Sequence, residues 1–151
     1  MTTELRDLIE ARLREAGLKL TPQRFAVLDY LVRHPTHPTA EQIGAGVNRR
    51  FPRVSRATIY NTLHSLCETG LVREVHLEDA TARYDANVKP HHHFVCRSCG
   101  RLEDVPAEAL GALPRADLET GYRVESFQVV MRGTCGACAE ERSRKRNSAR
   151  R

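Results

Sequence analysis

The sequence predicts an α+β protein in two parts, an N-terminal winged helix-turn-helix domain followed by a small α/β domain. Three observations predict it. Apolar residues recur at helical spacing through four segments before Gly70, the stretch 71–84 reads as a pair of strands, and two CxxC motifs sit near the two ends of the second part. At 151 residues the chain has room for one ordinary domain or two small ones, each with a thin core. Its 40% hydrophobic and 28% charged residues are those of a soluble globular protein. No run approaches the roughly 20 apolar residues of a membrane span, and the charged, amphipathic start MTTELRDLIEARLREAG is unlike a signal peptide. The expectation is a cytoplasmic protein without a membrane association.

Leu5, Leu8, Ile9 and Leu13 mark a first helix that Gly17 would end. Thr21 and Pro22 are an N-cap and first-turn proline for a second helix, with Phe25, Val27, Leu28, Leu31 and Val32 on its apolar face as far as His34. After the break His34-Pro-Thr-His-Pro38, Thr39 and Gln42 have capping-box spacing and open a short third helix to about Val47. Ser55 caps a fourth, ending at Gly70, whose apolar set is Ile59, Leu63, Leu66 and Cys67. Cys67 therefore reads as a core residue, the rival reading being a reactive thiol. Arg56, Tyr60, Asn61 and His64 lie on another face, which is long, polar and basic. Two strands joined around Glu78-Asp79-Ala80 complete the order of a winged helix-turn-helix, whose last helix enters the major groove. Beyond a His-rich linker, Phe94–Cys96 and Arg101–Val105 are short strands, Pro106–Thr120 a helix interrupted by Pro114, and Tyr122–Met131 a longer strand.

The net charge of +5 is unevenly spread. Arg49, Arg50, Arg53 and Arg56 form one run with no acid between them, and residues 142–151 carry six positive charges and no acid. Such clusters fit a polyanion; a solvated face and a frayed terminus are the plainer reading.

Cys96-Arg-Ser-Cys99 and Cys135-Gly-Ala-Cys138 are separated by 35 residues. Two thiolates in a tight turn chelate one metal, and two such knuckles complete a tetrahedral S₄ set suited to Zn²⁺. A redox dithiol is the rival, although such motifs come singly near a βαβ pattern. In an extended segment His91 and His93 point the same way and His92 does not. With Asp85 and Asp104 they make a mixed N/O set for Fe²⁺, Mn²⁺, Zn²⁺ or Co²⁺. The alternative is a solvated histidine run with unrelated acids. A hydrolytic or redox enzyme would need a substrate pocket and a general base beyond these ligands, and the sequence points to neither, so no catalytic residue is expected.

Thr21-Pro-Gln-Arg24, Ser55-Arg-Ala-Thr-Ile-Tyr-Asn-Thr-Leu63, Gly70-Leu-Val72, Arg83-Tyr84-Asp85, His91-His-His93 and the two CxxC pairs stand in the order seen in the ferric uptake regulator family, which the chain resembles from about residue 5 to 140. The resemblance implies a homodimeric repressor of double-stranded operator DNA. Its parts would be a winged-helix DNA-binding domain at 1–85, a hinge at 86–93, a dimerisation domain with a Cys₄ zinc at 94–141, and a basic, disordered tail at 142–151. It also implies a regulatory Fe²⁺ or Mn²⁺ bound by His37, Asp85, His91, His93 and Asp104, and DNA contacts from Arg24, Arg56, Tyr60, Asn61 and His64.

Within the family the chain is most similar to the peroxide-sensing branch, because Asp104 stands where iron sensors tend to have the longer glutamate. That branch implies that peroxide oxidises His37 or His91 to 2-oxo-histidine and releases the DNA. The alternative is a repressor that responds to iron or manganese level without sensing peroxide. Pro90, His92 and Gln128 stand where iron sensors often place ligands of a further metal site, so no such third site is expected, and the linker lacks the cysteine of zinc sensors.

Overall fold

The computed structural model describes residues 3–76, 81–111, 121 and 128–148. The chain divides into two compact units, Met1–Val88 and Lys89–Arg151.

The first unit is built on helices whose ends are written into the sequence. Helix α1 spans Thr3–Glu15, α2 Pro22–Arg33, α3 Ala40–Asn48 and α4 Arg56–Glu68. The Thr21 hydroxyl accepts from the Arg24 N–H with Pro22 in the first turn, Thr39 and Gln42 form the full capping box, and the Ser55 hydroxyl accepts from the Thr58 N–H. Each cap satisfies donors that the first turn leaves without a helical partner. Ile9, Leu13, Val27, Leu28, Ile43, Leu63 and Leu66 are fully buried in one apolar cluster, each worth about 1.5–3 kcal/mol of burial. Leu8 is an exception to the expected apolar face, at 53% exposure, as it lies on the flank of the Ile9–Leu13 stripe. Cys67 is half-buried against the cluster, and burial first, then Glu74, pushes its thiol up to about 11. It stays a neutral thiol through physiological pH.

Strands β1 (Arg73–His76) and β2 (Ala82–Asp85) pair antiparallel, with Arg73 opposite Asp85 and His76 opposite Ala82. The turn expected at Glu78-Asp79-Ala80 lies outside the described residues. The chain after α2 also stitches itself to β2: Thr39 bridges Arg83, and the Tyr84 N–H donates to the Pro38 carbonyl.

In the second unit β3 (His91–Cys96) is the central strand, with β4 (Leu102–Pro106) antiparallel on one side and β5 (Val130–Gly133) parallel on the other. The hinge expected at 86–93 is corrected only at its end, since 86–90 lie outside any helix or strand and β3 begins at His91. His91, His92 and His93 belong to the sheet and all three are buried, so the histidine run is not solvated. Composition suggested a linker, whereas pairing on both edges of β3 makes a strand.

A 3₁₀ turn at Ala107–Leu110 stops at Gly111, φ 66°. The remainder of the helix expected at Pro106–Thr120 and the start of the strand expected at Tyr122–Met131 lie outside the described residues. The tail is corrected too, since helix α5 runs through Gly136–Ser148. Beyond Gly136 the segment has no glycine or proline, and Glu141–Lys145 and Glu140–Arg144 pair at i, i+4.

Gly46 lets α3 lie against α2, because a Cβ there would collide with the Tyr30 ring. A mid-helix Gly→Ala change ordinarily gains up to about 1 kcal/mol. Gly46→Ala should instead lower the thermal midpoint through overpacking of about 1–3 kcal/mol, and a raised midpoint would contradict this packing.

Candidate metal centres and nucleic-acid interface

The Cys₄ group is assembled by strand register. Cys96 ends β3 opposite Gly133 of β5, so the chain two residues past Gly133 delivers Cys135 beside it, and the Cys135 N–H donates to the Cys96 Sγ at 3.3 Å. Gly100, at φ 71°, turns the first knuckle back so that its N–H reaches the Cys96 carbonyl. Cys138 lies in the first turns of α5, whose Ala139 N–H donates to the Cys135 carbonyl.

The four sulfurs lie within 4.8 Å of one another, and Cys99 and Cys135 Sγ are 3.8 Å apart. A disulfide needs about 2.05 Å, whereas a tetrahedron with Zn–S of about 2.3 Å has edges of about 3.8 Å. All five cysteines are free thiols. The N–H groups of Cys135 and then Cys99 draw the Cys96 thiol down to about 6, while neighbouring sulfurs, Cys135 first, push Cys138 up to about 12. Four thiolates at this spacing need a divalent cation, and the donor set fits zinc.

Of the five N/O residues, two belong to the first unit and three to the second. In the first unit His37 and Asp85 are buried, with His37 Nε2 3.7 Å from Asp85 Oδ2. The Asn87 N–H donates to Asp85 Oδ1 at 2.8 Å and fixes the carboxylate. His37 sits at φ 51°, a left-handed conformation that histidine enters more readily than most residues. Arg83 holds it there by donating to the His37 carbonyl at 3.3 Å.

In the second unit Asp104 of β4 lies directly opposite His93 of β3, which explains why residues eleven apart in sequence meet. His91 and His93 Nε2 are 3.1 Å apart, and Asp104 Oδ1 lies 3.6 and 3.9 Å from them. Two imidazole nitrogens bound at right angles at about 2.1 Å would be about 3.0 Å apart, so the pair has the bite of a chelate. His92 points away, its Nδ1 accepting from the Val129 N–H at 3.4 Å.

Of the expected DNA contacts, Arg56, Tyr60, Asn61 and His64 are exposed on one side of α4 while Ile59, Thr62, Leu63 and Leu66 are buried on the other. Arg24 is half-buried and donates to the Lys19 carbonyl. The run of arginines without an acid in sequence gains acids in space. Buried Asp29 accepts from Arg33 at 2.6 Å and Arg50 at 3.2 Å, and Glu41 accepts from Tyr60 at 2.8 Å and Arg56 at 3.3 Å. Its own backbone N–H, then the Tyr60 hydroxyl, hold the Glu41 carboxyl below its ordinary range. Asp29 and Arg33 stand at i, i+4, but spacing identifies neither acid as a partner of Arg50, Arg56 or Tyr60. Arg33, Arg49, Arg50 and Arg83 line a cavity of about 640 Å³ that α4 does not border. Among the described residues no helix is long and apolar enough to cross a membrane.

The family model described as the ferric uptake regulator family matches residues 15–132. The chain is 37% identical over 139 residues to the peroxide operon regulator of Bacillus subtilis (strain 168), covering 91% of this chain and 95% of that protein. It is 37% identical over 132 residues to the peroxide-responsive repressor PerR of Staphylococcus aureus (strain Mu50), covering 87% and 89%. Among solved structures, the Campylobacter jejuni peroxide stress regulator matches with a TM-score of 0.62 at 28% identity, over 91% of this chain and 100% of that one. This chain belongs to the ferric uptake regulator family.

Zinc in such small sites binds with about 10–16 kcal/mol, as much as the whole stability of an ordinary domain, about 5–15 kcal/mol. Cys96→Ser should therefore lose the ion and leave the amides of β3–β5 unprotected in hydrogen exchange. A zinc-free variant with protected amides would rule out a structural role.

Proposed function

We propose that this protein is a metal-dependent, peroxide-responsive transcriptional repressor: a homodimer that binds double-stranded operator DNA while its regulatory site holds Fe²⁺ or Mn²⁺, and releases it when a ligating histidine is oxidised. The observation that carries this reading is the buried imidazole and carboxylate set. His37 with Asp85, and His91 with His93 and Asp104, supply five N/O donors of the kind these ions accept. We read them as ligands of one ion, which would tie the DNA-binding part to the second part. The ion's preference for the DNA-competent arrangement then sets the size of the response. The reading places this chain among regulators, with no substrate turnover.

Bound Fe²⁺ would supply the one-electron chemistry that opens the O–O bond, and the two electrons that peroxide takes up overall would come from the ring. The chain's part is to hold an imidazole of His37 or His91 beside it. One ring carbon exchanges its hydrogen for oxygen, with one peroxide oxygen retained and the other leaving as water. The oxidised ring is a poorer donor, so the bias toward the DNA-competent arrangement falls.

His37→Ala should keep its zinc yet fail to bind operator on adding Fe²⁺, and mass spectrometry should find no oxygen added at His91 after peroxide. Asp104→Glu should still repress with Fe²⁺ but oxidise more slowly. A wild-type Fe²⁺ form that keeps its DNA and gains no oxygen under peroxide would identify a metal-level sensor instead.

On the DNA side, Tyr60→Ala should cost specific binding about 1–3 kcal/mol per lost base contact. Deleting residues 142–151 should weaken all sequences alike and flatten the salt dependence, since phosphate contacts release counterions without reading sequence. Unchanged affinity and slope would place the tail off the DNA.

A further inference from the structure

We propose that Gln128 is a positioning residue for His93: its carboxamide, able to donate or accept, lets His93 pass between the tautomer that closes the local hydrogen-bond chain and the tautomer that ligates. The inference rests on the reading of His93 as a ligand of the regulatory ion, and it follows from the direction of three contacts.

His91 Nδ1 lies 2.7 Å from the Lys89 carbonyl oxygen. A carbonyl can only accept, so His91 Nδ1 carries the hydrogen, and in the neutral ring its Nε2 is then a lone pair. His91 Nε2 is 3.1 Å from His93 Nε2, and two lone pairs facing each other at that distance would repel. A hydrogen joins them, and it belongs to His93. A neutral His93 ring with Nε2–H has an accepting Nδ1, and the Gln128 amide nitrogen stands 2.7 Å from that atom, placed to donate. The chain Gln128 to His93 to His91 to Lys89 thus runs in one direction with each donor matched to an acceptor. The two rings meet nearly edge to face, 79° between planes, a geometry that accommodates a ring N–H aimed at the neighbouring lone pair.

A metal on His93 Nε2 takes the place of that hydrogen, and the ring must then carry its proton on Nδ1. Most partners at Nδ1 would oppose the change, because a backbone carbonyl or carboxylate suits only Nδ1–H and an ammonium or guanidinium suits only the bare nitrogen. A carboxamide suits both, since turning it by half a revolution replaces the NH₂ with the oxygen. No net proton is gained or lost in the exchange, and His93, fully buried, is never left with a polar atom facing an identical one. Histidine ligands commonly owe their tautomer to such an outer partner.

The test uses the full-length zinc-loaded protein, with long-range ¹⁵N–¹H NMR of the histidine rings at pH 8 and Mn²⁺ affinity from competition titration. Wild type should show His93 as Nε2–H before Mn²⁺ or Fe²⁺ is added, and as Nδ1–H with Zn²⁺ as a diamagnetic probe. Gln128→Glu, which only accepts at that pH, should show Nδ1–H from the outset. Gln128→Met keeps the length but makes no hydrogen bond, and should weaken Mn²⁺ about tenfold with zinc content unchanged. An Nε2–H ring retained in Gln128→Glu, or Mn²⁺ affinity within about twofold of wild type in a folded Gln128→Met protein, overturns the proposal. If Gln128→Met fails to fold, the Gln128→Glu tautomer decides alone. His93→Ala separates this from the underlying reading: undiminished Mn²⁺ binding there would remove His93 from the ligand set, whereas lost binding with an inert Gln128 series would sink the positioning role only.

Discussion

Four sulfurs within 4.8 Å of one another cannot all carry charge unless a cation sits among them, and much in the second unit depends on that constraint being met. The apolar cluster of the protein, from Ile9 to Tyr84, belongs wholly to the first unit. Among the described residues of the second, the buried apolar side chains are Cys96, Leu102 and Cys135, two of them members of the sulfur group. Among the described residues, three strands of four to six residues bury little apolar surface to set against the entropy of ordering them. The pairing of β3 with β5 also joins segments far apart in sequence, which adds a loop-closure cost. An ion held by Cys96 and Cys135, at the end of both strands, offsets that cost where it arises. Strand β3 carries the sulfur ligand at its last residue and His91 and His93 at its beginning. The geometry of the imidazole pair is therefore anchored by the sulfur cluster at the far end of the same strand.

The first unit solves the opposite problem. Its apolar helices would fold with no metal, and the difficulty is placing a buried imidazole on the surface of a helical core. The segment after α2 does this by leaving helical geometry altogether. His37 takes a left-handed backbone, at a cost of about 1–3 kcal/mol for such strained positions. Pro38, Thr39 and the His37 carbonyl are then bound to β2. Because Asp85 ends the same strand, the contacts that hold the strained loop also set the separation of His37 and Asp85. Strain at His37 and alignment with Asp85 are one structural feature, which is why a short wing strand and a helix-breaking His-Pro segment occur together.

What could be read from the sequence was whatever depends on local rules. The caps at Thr21, Thr39 and Ser55 are chemical statements about the next three residues, and each forms as read. The CxxC pairs are equally local, since two ligands in one turn need no knowledge of the fold. The histidine strand was half legible. Alternation correctly separated His91 and His93 from His92, but nothing local says that β4 and β5 flank β3 on both edges, so the start of a strand was taken for the end of a hinge. The helical tail was missed because an arginine-rich end reads as a frayed terminus, whereas Glu140 and Glu141 pair with the cations four residues on. Gln128 was visible only as a residue standing where a ligand is often found; its contact with His93 depends on the approach of β5, which no spacing rule encodes.

The partners of the arginine run were the least legible feature, and they change what its charge can do. Read in sequence, Arg49 to Arg56 is a block of positive charge free to meet any phosphate. In the fold Asp29 neutralises part of it from inside the core, and Glu41 occupies Arg56 and Tyr60 on the surface. Arg56 is more than four-fifths exposed, so its pair with Glu41 is worth little by itself. Its effect in the proposed DNA complex is on selection. A phosphate taken up by Arg56 or Tyr60 would have to displace that side chain from Glu41 and tolerate the negative charge nearby. A base edge that offers both side chains good partners bears the same cost with more return. If Arg56 and Tyr60 contact DNA as proposed, an acid beside them would penalise nonspecific contacts more than specific ones, and part of the specificity would come from a repulsion that a count of arginines does not reveal.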